Sequence, residues 1–180
     1  LEEMGFVYEG ETPESNLIAG YLPIDKIKDL PSIPWFVAAT PVSKPKTKTG
    51  SVTSAGDGII GGPAFRAANN VTGAGVRVGV ISDSVNRFGG GLPQSIASGN
   101  LPPNVLVLRD GAAGDTDEGR AMLEIVHDVA PGSSLAFHTA DFGPTVFTRG
   151  IYALARAGAR VITDDIGYAN SPLFNSGRMG

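Results

Sequence analysis

The chain has 180 residues, of which 42% are hydrophobic and 18% charged, a balance typical of a globular protein. A formal net charge of −4 argues against general binding to nucleic acid or to an anionic membrane, and no apolar run is long enough to span a bilayer. Cysteine is absent, which excludes disulfides, a cysteine nucleophile and metal sites built on cysteine.

Residues 1–42 are predicted to form a small α+β extension. Two apolar runs, 17–21 and 35–39, have the composition of strands, and 23–30 has the pattern of a short helix between them. Residues 43–69 are predicted to be a linker, because this stretch begins with alternating lysines and continues with glycine and other small residues.

From residue 75 onward, short apolar strands alternate with amphipathic helices. Strands are predicted at 76–81, 105–108, 135–137 and 161–163, and helices at 117–128 and 146–157. This alternation indicates an α/β fold, a parallel sheet with helices on both faces, in a domain that covers 70–180. Functional sites in such sheets form at the carboxyl edge, where the strands end.

The spacing of apolar residues predicts which face each helix buries. The first helix is expected to bury Met122, Ile125, Val126 and Val129, and the second to bury Phe147, Ile151 and Leu154. Gly158 lies where a helix-ending glycine belongs.

Acidic residues occur at three strand ends or helix starts. Asp83 follows the first strand of the domain, where it is either a functional acid or a turn aspartate bonded to nearby N–H groups. Glu118 lies where the first helix begins, and its alternative role is a capping box with Asp115. Asp164 and Asp165 end the last strand, and because neighbouring strand residues point to opposite faces, only one of them can share a cleft with Asp83.

Other polar residues are assigned structural roles. His127 lies near the end of a helix and His138 at the end of a strand, positions that favour interaction with the helix dipole and packing, respectively. The acidic loop 110–117 lacks the spacing of an EF-hand, so calcium stays open and no metal or other cofactor is predicted. The glycines of 73–79 precede a strand, which is the wrong order for a dinucleotide fingerprint.

Four segments, taken in order, resemble the subtilisin-like and sedolisin-like serine peptidases. Segment 73–84 resembles the glycine pair and strand that lead to the subtilisin aspartate, and 118–121 falls where that family has its histidine at a helix start. Segment 129–135 is similar to the family's Val-Ala-Pro-x-Ala-x-Leu, and 157–167 to the strand ending in Ser-Leu-Gly beside the substrate cleft. Their order and spacing agree over about residues 70–170.

The resemblance implies a serine endopeptidase that hydrolyses peptide bonds. It implies catalytic roles for Asp83 and Glu118 and substrate-binding roles for Asp165, Ile166 and Gly167. Sedolisins also use a glutamate as the base, but their aspartate one helical turn later corresponds to Met122 here. Burial and Asp83 are expected to raise the pKa of Glu118, whereas the helix N-terminus is expected to lower it.

The resemblance also bears on partners and on completeness. It implies a peptide or protein substrate, a secreted or extracytoplasmic location, and a prodomain-like role for 1–42. The family's Gly-Thr-Ser nucleophile segment does not occur in these 180 residues, so this chain alone is predicted to be inactive. The open edge of an incomplete sheet predicts self-association or pairing with a missing C-terminal half.

Two alternatives to a peptidase stay open. One is a catalytically inactive relative that binds peptides or a partner protein. The other is an unrelated α/β domain with phosphoryl chemistry at Asp83, which is disfavoured because no second acid or phosphate-binding loop is apparent beside it.

Overall fold

The computed structural model describes residues 1–12, 16–42 and 55–168. The N-terminal extension contains an antiparallel pair of strands, β1 (Val7–Thr12) and β2 (Leu17–Tyr21), flanked by 3-10 helices at Glu2–Met4 and Ile24–Ser32. The strand predicted at 35–39 is wrong, because that stretch begins in a turn and pairs with no described strand.

The region predicted as a linker contains two short helices, α1 (Gly56–Ile59) and α2 (Gly62–Asn69). Arg66 of α2 forms an ion pair with Asp57 of α1 at 2.6 Å, and it donates a hydrogen bond to the Val129 carbonyl at 2.9 Å. The described part of this region is therefore ordered against the rest of the molecule.

The larger sheet has four parallel strands in the order β4-β5-β3-β6. They are β3 (Arg77–Ser82), β4 (Val105–Arg109), β5 (Ser134–Thr139) and β6 (Ala159–Asp164). Their apolar runs are all near the positions that the sequence predicts. Parallel strands need crossovers, and three further helices supply them: α3 (Gly91–Ala97), α4 (Glu118–Val129) and α5 (Pro144–Arg156).

Helices cover both faces of this sheet, as the sequence predicts for the α/β class. On one face, Val78 and Val80 of β3 pack with Leu92 of α3 and Leu123 of α4. On the other face, Ile81 packs with residues of β5 and α5, including Ala136, Phe147 and Leu154. No helix in the described ranges is long and apolar enough to cross a membrane.

The buried face of α4 agrees with the predicted one in part, because Met122 and Val126 pack against the core. Leu123 is fully buried, whereas Ile125 is 56% exposed and Val129 is 37% exposed. The prediction for α5 is closer, since Phe147 and Leu154 both lie in the core.

Candidate functional site

Asp83 lies at the carboxyl end of β3, and hydrogen bonds fix its side chain. Oδ2 accepts the backbone N–H (2.8 Å) and the hydroxyl (2.6 Å) of Thr116. Oδ1 accepts the N–H of Ser84 (2.5 Å) and that of Gly119 (3.3 Å). The Ser84 bond is the local turn contact that the sequence offered as an alternative. The other bonds tie the end of β3 to the start of α4, so the role of Asp83 exceeds that of a turn residue.

Asp117, the residue before α4, holds the helix start against the loop after β3. It is 3% exposed and has a left-handed backbone with φ of 59°. Oδ1 accepts the Ser84 hydroxyl (2.6 Å) and the Arg87 N–H (2.7 Å), and Oδ2 pairs with Nε of Arg120 (3.3 Å). Its own N–H donates to the Ser84 oxygen (3.0 Å). These bonds fix where the side chain of the next residue begins.

Glu118 is that next residue, and its carboxyl group serves no capping function. The capping box predicted with Asp115 is wrong, because Asp117 is the N-cap residue and no side chain caps α4. Burial raises the pKa of Glu118, and the negative charges of Asp165 and Asp83 raise it further.

Gly119 brings the helix start close to the sheet. A Cβ added at this position would lie 2.3 Å from the Phe137 ring and 2.8 Å from the Ser84 carbonyl oxygen. Phe137 is fully buried in the core and has no room to move aside. Glycine is required here by the approach of α4 to the sheet, and that approach gives its N–H access to Asp83.

Asp165 brings a third carboxyl group to this edge of the sheet. Ile81 of β3 pairs with Asp164 of β6 in the parallel register, which makes Ser82 and Asp165 neighbours. Both oxygens of Asp165 and the Ser82 hydroxyl are buried, and the two groups are close but not well aligned for a hydrogen bond. Burial raises the pKa of Asp165, and the charges of Asp83 and Asp164 add to that effect.

The residues around Asp165 have separate roles. Asp164 is exposed, and its Oδ1 accepts the N–H of Ile166 at 3.1 Å. The Ile166 side chain is 7% exposed and belongs to the core beside α5, so it is not available to a ligand. Gly167 has open space where a side chain would be. Of the three residues predicted to bind substrate, Asp165 is the one whose carboxyl group lies near those of Asp83 and Glu118.

The histidines do not lie with these acids. His138 is 5% exposed, faces Gly150 of α5 on the other side of the sheet, and has a pKa lowered by burial. Its Nδ1 lies 2.7 Å from the Thr139 carbonyl oxygen. His127 is in the last turn of α4, at the end of that helix opposite to Glu118.

Sequence reasoning missed four residues that build the site: Ser84, Arg87, Thr116 and Asp117. The available signal was a polar residue directly after a buried strand and a polar run directly before a helix. Ser84 and Asp117 are 33 positions apart, so no local pattern indicates that they pair.

An open depression of about 520 Å³ lies elsewhere, at the amino end of the sheet. Arg77, Ser134 and Arg160, which are among its lining residues, lie at or next to the first residues of their strands. The carboxylate site and this depression are therefore at opposite ends of β3.

The chemistry available at the carboxyl edge is proton transfer. Asp83 supplies a fixed carboxylate, and Glu118 and Asp165 supply carboxyl groups with raised pKa values. The neighbouring serines, Ser82 and Ser84, are fully buried and cannot attack a substrate. No group of three or more His, Cys, Asp or Glu side chains in the described ranges is arranged to hold a metal ion.

Comparisons with protein-family models, curated proteins and solved structures gave no match to this chain. The fold and the site by themselves define an α/β protein with a cluster of carboxyl groups at the carboxyl edge of its parallel sheet.

Proposed function

We propose that this chain supplies the acid and base of a serine-type endopeptidase related to subtilisins and sedolisins. Glu118 is the general base, and Asp83 orients the helix start that carries it. The observation behind this proposal is the meeting of Asp83, Glu118 and Asp165 at one sheet edge, with the pKa of Glu118 raised by burial and by the other two acids. A base with a raised pKa holds an abstracted proton better at mildly acidic to neutral pH.

In this mechanism a serine hydroxyl attacks the peptide carbonyl while its proton passes to the Glu118 carboxylate. The protonated Glu118 then gives the proton to the leaving amine, and a water molecule hydrolyses the acyl-enzyme by the same exchange. Because Ser82 and Ser84 are buried, the nucleophile must come from another part of the protein.

Asp83 contributes indirectly. Within the described part of the chain, the four hydrogen bonds of its carboxylate run to Ser84, Thr116 and Gly119, and none runs to Glu118. It therefore supplies a fixed negative charge and a fixed helix start rather than a direct bond to the base. This differs from a triad in which the acid bonds directly to the base.

Substrate binding is proposed at the strand end beside Asp165. Strand β6 is at the edge of the described sheet, and the backbone of Ile166 and Gly167 continues from it. An extended peptide can pair with such a backbone as an added strand. Gly167 places no side chain in the way of that approach, although its backbone already takes part in a β-bridge and the Ile166 N–H is bonded to Asp164.

The test uses the protein at the length its gene encodes, with a panel of fluorogenic peptides and a fluorophosphonate probe that labels activated serines. Glu118→Gln is expected to lower kcat/KM by about 10³-fold or more, as expected for loss of a general base. The control Asp128→Asn changes an exposed acid at the other end of α4 and should leave kcat/KM unchanged. Turnover that survives Glu118→Gln would remove Glu118 from the mechanism.

The second candidate function is a catalytically inactive module that binds peptides. It is favoured by the buried state of both serines beside the acids. Titration of the 180-residue chain with unlabelled peptides, followed by amide chemical shifts, separates the two functions. Shifts at Gly167 without turnover or probe labelling in the encoded-length protein would favour the binding module. The absence of shifts, turnover and labelling together would exclude both functions.

A further inference from the structure

A separate pair of carboxyl groups, those of Asp115 and Asp141, lies beside the candidate site. Asp115 belongs to loop 110–117, which also carries Thr116, a hydrogen-bond donor to Asp83. Asp141 follows β5, is 5% exposed, and accepts the N–H of Ala112 on its Oδ2 at 2.8 Å. The carboxyl of Asp115 contacts that of Asp141. Oδ2 of Asp115 is buried and meets no N–H or O–H donor in the described part of the chain.

Gly111 closes this pair in from the side of β3. A Cβ added to Gly111 would lie 2.4 Å from Oδ2 of Asp115 and 2.2 Å from the carbonyl oxygen of Asp83. The loop backbone is thus in close contact both with the carboxyl pair and with the residue that carries the site carboxylate. Thr116, one residue after Asp115, donates two hydrogen bonds to Asp83.

Two ionised carboxylates in contact cannot bond to each other, since each is only an acceptor. Adding one proton turns the contact into a hydrogen bond and gives the buried Oδ2 of Asp115 a role as donor. We propose that Asp115 and Asp141 share one proton and that the resulting hydrogen bond keeps loop 110–117 in place. Loss of the proton then weakens the hydrogen bonds from Thr116 of this loop to Asp83. This inference does not depend on peptidase activity.

The surroundings favour the protonated form. Burial, then the contact with Asp141 and, last, the charge of Asp83 raise the pKa of Asp115 to about 7, against the opposing effect of the Ala112 N–H. Two arginines on neighbouring segments pair with other acids: Arg87 with Asp110, and Arg109 with Glu9. The charge of Asp83 acts on Asp115, and Tyr168 faces Asp141.

The direction of the pH effect follows from the raised pKa. A folded-state pKa of about 7 for Asp115, against an ordinary 3.8, means that the folded chain binds this proton more tightly than the unfolded chain. The contribution of this proton to stability is therefore fully present at and below about pH 4, falls as the pH rises towards 7, and is lost above it.

The first experiment compares thermal unfolding of the 180-residue chain at pH 5 and pH 8. Deprotonation of the Asp115–Asp141 pair should make the Tm of the wild type roughly 3–8 °C lower at pH 8 than at pH 5. Asp115→Asn supplies a permanent N–H donor to Asp141, so most of that fall should disappear. Asp128→Asn, an exposed acid, should retain the fall. An equal fall in wild type and Asp115→Asn would overturn the proposal.

The second experiment uses only the wild-type chain, so it does not depend on whether a variant folds. The ¹³C carboxyl signals of the wild type should include one aspartate with a midpoint near 7. The protection factor of the Thr116 amide, corrected for intrinsic exchange, should fall several-fold as the pH rises through that midpoint. Aspartates that all titrate near 4, or Thr116 protection that does not change through the midpoint, would contradict the proposal.

Discussion

The carboxylate of Asp83 accepts the backbone N–H of Gly119, the residue that directly follows Glu118, at 3.3 Å. This bond joins the end of strand β3 to the start of helix α4, and the two bonds from Thr116 reinforce it. Glu118 is therefore placed by hydrogen bonds on either side of it, and its own carboxyl makes none within the described residues. Changes to these hydrogen bonds test whether the site is built in this way.

Thr116→Val removes the hydroxyl that donates to Asp83 at 2.6 Å but retains the backbone N–H bond. The free energy of unfolding is expected to fall by about 1 kcal/mol, because Thr116 is exposed and the bond is partly screened by water. Urea unfolding of the 180-residue chain measures this change. Thr116→Ser retains the hydroxyl and should stay within about 0.5 kcal/mol of the wild type. Equal losses in both variants would mean that the hydroxyl bond is not the cause.

Gly119→Ala tests the close approach of α4 to the sheet. The added Cβ would lie 2.3 Å from the Phe137 ring, so either the ring or the helix start must move. A loss of about 2–3 kcal/mol in unfolding free energy is expected. Gly58→Ala is the matched control, since nothing lies within 4 Å of its Cβ position in α1, and it should be neutral or slightly stabilising. A neutral Gly119→Ala would show that the helix start adapts freely.

Apolar patterning predicted the sheet because its central strands β3 and β5 are buried on both faces and its edge strands β4 and β6 are apolar runs as well. The apolar runs around Val78, Val107, Ala136 and Ile162 can be recognised as strands without knowing which strands lie beside them. Strand β1 was missed because it contains Glu9 and Glu11 and forms only by pairing with β2. The strand predicted at 35–39 shows the reverse case. Its residues are apolar, but no described strand lies beside it to pair with.

The rotation of α4 shows what local periodicity leaves undetermined. Spacing alone favoured a face that includes Ile125 and Val129, but the structure turns Leu123 inward. The bonds of Asp117 to Ser84 and Arg87 set this rotation, and they cross more than 25 positions of sequence. The placement of Asp83 at a strand end and of Glu118 at a helix start was predictable, because both elements are visible in the sequence. Their neighbours were not, because only the folded chain brings them together.

Asp165 should control how tightly Glu118 holds a proton. Burial is the largest cause of the raised pKa of Glu118, and the charge of Asp165 is the next largest. Asp165→Asn removes that charge, so the ¹³C carboxyl midpoint of Glu118 should move down towards its ordinary 4.5. Asp164→Asn is the control, because this neighbouring acid is exposed and does not act on Glu118. A Glu118 midpoint that is the same in wild type and Asp165→Asn would place the two carboxyls out of electrostatic contact.

The same charge should appear in the pH dependence of catalysis if Glu118 is the base. Glu118 must be ionised to accept a proton, so kcat/KM in the encoded-length protein should rise with pH through the raised pKa of Glu118. In Asp165→Asn that pKa is lower, and the acid limb of the profile should move to lower pH while Asp164→Asn leaves it in place. An overall loss of activity with an unshifted limb would instead assign Asp165 to substrate binding. A limb that moves upward would contradict the electrostatic coupling, because removing a negative neighbour can only make Glu118 easier to ionise.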